Sequence, residues 1–279
     1  MTAAAIHAES VPARPRTWRP LLWLVPLTGA WFALSCAVPG LQASGIPTTV
    51  SRVSIHVLIA LGLWLGLERT ELTMTQRRNV WLAVMITLTL WVCVIWSGAI
   101  NGVFRPGASP VPLAPVAIFL PVIIGVPILL RSKRIGQVLD AMPPTWLVAL
   151  QVYRVFGMTF LVGWLFGLVP GIFALPAGIG DVITGLMALP VAYMLASGGG
   201  QRRAEAVAWN VFGLLDFAVA ISLGLITSPG PLQLIVPSVP NATAGVYPTV
   251  LIPALAVPSS ILLHVVSLRQ LSRRASVAR

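Results

Sequence analysis

Charged side chains are scarce in this chain: Asp, Glu, Lys and Arg together make up 9% of its 279 residues. A water-soluble protein usually carries about a quarter, enough to coat its surface. The shortage excludes an ordinary cytosolic domain, a disordered chain and a nucleic-acid-binding module. Acid is scarcer than base, with 7 Asp and Glu against 18 Lys and Arg. The formal net charge of +11 would suit a polyanion binder if the charges formed one patch. They do not, because the basic residues fall in short groups between apolar runs. Lysine is nearly missing as well: Lys133 stands alone and every other basic residue is Arg, a bias that fits a GC-rich bacterial genome.

Cysteine is almost absent too. Cys36 and Cys93 both lie in apolar runs, which argues against a disulfide framework. No Cys/His group has zinc spacing, no pair of His lies on a helix with an intervening Glu, and no phosphate-loop signature occurs. Gly198-Gly199-Gly200 reads as a turn, and Asn241-Ala242-Thr243 as an accidental sequon. Nothing in the sequence calls for a cofactor.

What is abundant is apolar: 57% of the residues are hydrophobic, and the mean hydropathy is +0.91. The 24 Gly and 24 Pro lie inside apolar runs, where membrane helices tolerate them. The predicted fold is therefore an all-α, polytopic transmembrane helical bundle. A span needs about 20 mostly apolar residues. Eight candidates emerge: Leu21 to Val38, Arg52 to Leu67, Val80 to Ala99, Leu113 to Leu130, Trp146 to Leu168, Asp181 to Ala196, Ala206 to Ile226, and Thr249 to Leu268. Residues 1–20 form an N-terminal tail, 21–268 the transmembrane domain and 269–279 a basic C-terminal tail.

Placing the basic residues on this threading orients it. One side carries Arg14, Arg16, Arg19, Arg69, Arg77, Arg78, Arg131, Lys133, Arg134, Arg202, Arg203, Arg269, Arg273, Arg274 and Arg279. The other carries Arg52 and Arg105, and Arg154 lies within a span. Under the positive-inside rule both termini are cytoplasmic, in a bacterial inner membrane. Tryptophans such as Trp18, Trp81 and Trp146 sit at span ends as interfacial anchors. A cleaved signal peptide ending near Ser35-Cys36-Ala37 is the alternative for the first span, and would leave seven. The fourth and eighth spans share Pro spacing and a basic exit. Either Pro kinks two unrelated helices, or a four-plus-four duplication lies behind it.

Polar groups at membrane depth are the best pointers to function, since an ion there is costly and tends to have a partner or a job. Arg154 lies about eight residues into the fifth span and Asp216 about ten into the seventh, so at 1.5 Å per residue the two share a depth to within about 3 Å. Gln151, Arg154 and Gly157 recur at steps of three, as do Asn210, Gly213 and Asp216. A buried Arg154–Asp216 pair with Gln151 and Asn210 beside it is the expected arrangement. It reads three ways: a structural bolt, part of a solute or ion pathway, or a catalytic pair, although no nucleophile stands nearby in sequence.

Between the fifth and sixth spans, Pro170 to Gly180 is apolar where a loop is normally polar. It reads as a segment sheltered in the bundle, with Asp181 capping the sixth helix or entering a cavity. Thr184 and Gly185 would line the same cavity. His56 reads as near one face and His264 near the other, so they cannot share a haem iron, and His7 lies in the tail. Arg52 and His56 read as an interfacial polar patch.

The stretch from Gln151 to Asp181, with Asn210 to Asp216, resembles bacterial multi-spanning membrane proteins that carry no assigned activity. The resemblance covers about the C-terminal half and transfers no residue role. The sequence thus points to an integral membrane protein that binds or moves a small solute or ion at Gln151, Arg154, Asn210, Asp216 and Asp181. The alternatives are a membrane-embedded enzyme, a haem protein, or a non-catalytic subunit. Expected partners are the lipid bilayer, then a small solute or ion, and a membrane-protein partner or second copy; nucleic acid is not among them.

Overall fold

The computed structural model describes residues 18–198 and 202–277, and the described residues form helices and connecting turns with no strand. His7, Arg14, Arg16, Gly199, Gly200 and Arg279 lie outside them, as does most of the N-terminal tail. The helices are α1 (Leu21–Ala37), α2 (Pro39–Ala43), α3 (Ile46–Glu68), α4 (Met74–Ile100), α5 (Leu113–Arg131) and α6 (Lys133–Ala141). The next span is broken into α7 (Pro144–Leu150), a 3-10 segment (Gln151–Met158) and α8 (Thr159–Leu165). α9 (Gly171–Gly198), α10 (Arg203–Thr227), a short 3-10 turn (Thr243–Gly245), a π turn (Ile252–Ala256) and α11 (Val257–Val277) follow.

Among the described residues, seven helical segments are long and apolar enough to cross a membrane, and α1, at 17 residues, falls just short. Their outer faces are apolar: Leu90, Val94, Ile123 and Leu215 are each at least 60% exposed. In water such a surface would aggregate, whereas hydrocarbon asks for nothing else.

Local chemistry sets the helix ends. Thr73 and Gln76 form a reciprocal capping box at the start of α4. Ser132 accepts from the Ile135 amide at 3.3 Å and starts α6 directly after α5 ends. α6 falls in a segment expected to be a loop. It packs Val138 and Leu139 inward, and Gln270 Nε2 donates to the Met142 carbonyl at 2.7 Å.

Contacts gather the helix junctions at two ends. At one end Arg69 stacks 4.6 Å over Trp146. Arg203 Nε donates to the Leu271 carbonyl at 3.0 Å. Arg269 Nη2 reaches the Ser132 carbonyl at 3.0 Å, and Arg274 Nη2 the Met142 carbonyl at 2.7 Å. Arg273 Nε donates to Asp140 Oδ1 at 2.8 Å. That bond, in α6 outside the spans, holds the Asp140 carboxyl below the usual carboxylate range. The opposite end carries the turns at 101–112 and 228–250, where Gly245 packs on the Phe104 carbonyl.

Two expectations change. α9 begins at Gly171, ten residues before the predicted start, so Pro170 to Gly180 is neither loop nor re-entrant segment. The Pro170 carbonyl accepts from Ala174 at 2.9 Å and opens the helix. Pro176 then sits within it, because close neighbours shelter the backbone that proline leaves unpaired. Asp181 is consequently mid-helix and caps nothing. α11 also runs past Leu268 to Val277, which moves His264 from a span end toward the middle.

Candidate functional site

The central layer is α9 packed on the broken span. Gln151, Arg154 and Gly157 fall at steps of three, and the 3-10 segment has three residues per turn, so they stack on one edge. An α-helix would rotate each step by about 60° and fan the three over about 120° of its surface. All three are buried.

Arg154 is 2% exposed and organises the site. Its Nε donates to Asp181 Oδ1 of α9 at 2.7 Å. Its Nη2 donates to Asp216 Oδ2 of α10. Nη1 reaches the Gly213 carbonyl at 3.3 Å and His264 Nε2 at 3.1 Å. Four of the five N–H bonds of the guanidinium fork are thereby engaged, and its carbon lies 3.8 Å from the Phe217 ring centroid. One cation thus ties α9, α10 and α11 to the broken span.

His264 is fully buried and its tautomer follows from its neighbours. Arginine only donates, so Nε2 accepts and carries no proton. Nδ1 lies 2.9 Å from Asn210 Oδ1. The Asn210 amide nitrogen is committed to the Ala206 carbonyl at 2.8 Å and Ser267 Oγ at 3.2 Å, which leaves its oxygen to accept. The imidazole is therefore neutral, with its proton on Nδ1, and both ring nitrogens are occupied.

Close backbone approach makes this packing available. A Cβ at Gly213 would stand 2.5 Å from His264 Nε2 and 2.9 Å from Arg154 Nη1, and one at Gly180 would overlap Asp216. Glycine at both positions is a steric requirement of the cluster.

Of the five residues singled out from sequence, Arg154, Asp181 and Asp216 meet directly. Asn210 joins through His264. Gln151 stands one 3-10 turn away and donates instead to the Ser260 carbonyl at 3.1 Å, while its Oε1 has no partner. Thr184 and Gly185 line neither of the cavities beside the cluster: the Thr184 hydroxyl donates to the Gly180 carbonyl at 2.8 Å, and its own carbonyl accepts from Trp209 Nε1 at 3.1 Å. His56 lies apart, 3.1 Å from Thr89 Oγ1. Sequence reasoning weighed His264 only as a haem ligand and passed over Phe217, Tyr153 and Ser260. The Tyr153 hydroxyl bonds Ser260 Oγ and lies 3.4 Å from the Ala256 carbonyl, in the π turn. Only the continuation of α11 past Arg269 could have signalled His264, and hydropathy ends the span at that arginine.

Two cavities approach the cluster. The larger, about 160 Å³, has mostly apolar walls including Phe160, Phe173 and Ala220 and reaches the turns at 103–113 and 228–232. The smaller, about 40 Å³, lies between α3, the 3-10 segment and the π turn. Asp181 and Phe217 contribute to the walls of both. Asp181 gives Oδ1 to Arg154, and its side chain keeps 13% exposure. Among the described residues no group of three or more His, Cys, Asp or Glu is arranged to hold a metal ion.

No curated protein and no solved structure matches the chain. A family model does, over residues 111–272, a stretch that holds the whole Arg154 cluster and leaves α1 to α4 outside. With more than half of its length matched, the chain belongs to the family described as Domain of unknown function (DUF8737).

Proposed function

We propose that this is a multi-pass protein of a bacterial inner membrane, with eight spans and both termini in the cytoplasm, that binds or moves a small solute or ion at Arg154, Asp181 and Asp216. The observation that carries the reading is the position of Asp181, in the walls of both cavities and bonded to the buried arginine. Charge bias supports the orientation, since the basic residues collect at the end opposite the cavities' loops. The cavities would then open toward the periplasm.

Thiol accessibility tests this. In a Cys36→Ser/Cys93→Ser background, Thr48→Cys and Ala220→Cys, which line the smaller and larger cavities, should react with a small membrane-impermeant reagent added from the periplasmic side. Leu215→Cys, facing lipid, should not. The near-complete satisfaction of Arg154 favours a second reading, a sealed structural bolt. Silence at both cavity positions would decide for the bolt.

A further inference from the structure

The smaller cavity contains a cation that the Arg154 cluster leaves without a directly bonded carboxylate. Arg52, on α3, lines it beside Arg154, Asp181, Tyr153, Ser51 and Ser260. Its guanidinium carbon stands 5.3 Å from the Tyr153 ring centroid. Among the described residues its hydrogen bonding amounts to a 3.4 Å contact from Nη2 to the neighbouring Ser51 Oγ, and its buried Nε has no partner. No described carboxylate forms an ion pair with it. The one acid in the wall, Asp181, already serves Arg154. Arg154 is matched twice, by Asp181 and by Asp216, so with Arg52 the four ions sum to zero; what Arg52 lacks is a direct carboxylate partner for its own guanidinium.

An arginine within a span normally finds a counter-charge, and its flat fork matches an oxyanion with two oxygens. Space sets the size of that oxyanion. A water needs about 10–15 Å³ of such volume, so the 40 Å³ cavity admits about three water-sized groups. One carboxylate head is that large. Ser51, and whichever of the bonded Tyr153–Ser260 pair does not donate within that bond, keep hydroxyl protons to offer it.

We propose that the smaller cavity is an oxyanion site in which Arg52 holds the carboxylate-sized head of a small solute. The inference rests on the solute-binding reading above and names the chemical class that this cavity takes. An anionic lipid headgroup offers the same chemistry from another source, and the experiment separates the two.

Purified protein, stripped of bound lipid in detergent, is titrated with acetate and propionate, with acetamide as neutral isostere and chloride as ionic-strength control. At saturation the carboxylates should raise the melting temperature by about 3 °C. Acetamide and chloride should not, and Arg52→Gln should abolish the response while Arg52→Lys keeps part of it. If Arg52→Gln fails to fold, the acetate-against-acetamide contrast in the wild type still decides. Equal shifts with acetate and acetamide, or with and without Arg52, overturn the site. Phosphatidylglycerol retained through Arg52 in native mass spectrometry, with no response to free carboxylates, overturns the solute and leaves a lipid site. Labelling at Thr48→Cys without any carboxylate response sinks this inference alone, whereas silence at Thr48→Cys and Ala220→Cys sinks the reading beneath it.

Discussion

In α4 and α5 only 11% of the apolar span is buried against other helices, whereas the broken span Pro144–Leu165 reaches 56% and α9 50%. The first pair keeps regular α geometry from end to end, even though Pro121 and Pro127 lie inside α5. The second pair holds Gln151, Arg154 and Asp181, and one member abandons the α-helix for eight residues. A helix facing lipid needs nothing specific from its neighbours, so its own backbone bonds decide its form. One that carries ions through hydrocarbon must deliver each to a partner, and here the partners dictate the backbone. Irregular segments also meet each other: Tyr153 in the 3-10 segment bonds Ser260, one turn beyond the π turn. Such backbone survives at membrane depth only where protein shelters it.

The largest effect that separates the two regions should come from Arg154→Ala. It strands Asp181 and Asp216 without their cation, a loss of about 3–5 kcal/mol in soluble proteins that water entry softens in membranes. Thermal melting in detergent should fall sharply, and adding Asp216→Ala should recover part of it. A Leu90→Ala change on the lipid face of α4, where the side chain is 60% exposed, should leave melting nearly unchanged. Comparable losses from both would break the contrast.

Glycine changes should act with opposite sign at the ion cluster and on an open helix face. Gly213→Ala forces a methyl against His264 and Arg154, which costs about 1–3 kcal/mol by overpacking. At Gly62, in α3, the same methyl meets nothing within 4 Å, so Gly62→Ala should stabilise by about 0.5–1 kcal/mol through helix propensity. Melting curves of the two variants read the sign directly. Stabilisation at Gly213 would mean the cluster is loosely packed.

The smallest effect belongs to the exposed Asp140–Arg273 pair at the basic end, worth less than about 1 kcal/mol. Because the folded carboxyl titrates below its ordinary value, the pair stabilises above the unfolded pKa of about 3.9 and loses that contribution as pH falls through the folded value. Asp140→Asn should therefore melt slightly below the wild type at pH 7 and converge with it as the pH falls below the folded carboxyl's titration. A difference that persists in acid would assign the loss to packing of α6 instead of charge.

Much of the architecture was legible without coordinates, because lipid reads a helix one residue at a time. Long apolar runs located the α3, α4, α5 and α10 spans, and the equal depth of Arg154 and Asp216 followed from counting at a fixed rise. Where the environment is protein, that arithmetic gave way. Pro170 to Gly180 looks like a break in isolation and folds as the first turns of α9, since neighbours supply what Pro176 cannot. Asp181, read as a helix cap or a cavity residue, caps nothing, lines both cavities and is the second partner of Arg154. His264 looked peripheral because a hydropathy window stops at Arg269, although the helix continues.

The sequence by itself determined an all-α bundle of apolar helices and the scarcity of ions within it. Both depend on transfer of single side chains from water, a property of composition and order. Only the tertiary structure decided that Arg154 bonds two carboxylates and a neutral histidine, and that Arg52 lines a cavity without an ion pair to any described carboxylate. Those outcomes depend on which faces of separate helices meet. Glycines at 180 and 213 and the 3-10 pitch of residues 151–158 set that meeting, and their consequence is spatial, visible only once the helices are packed.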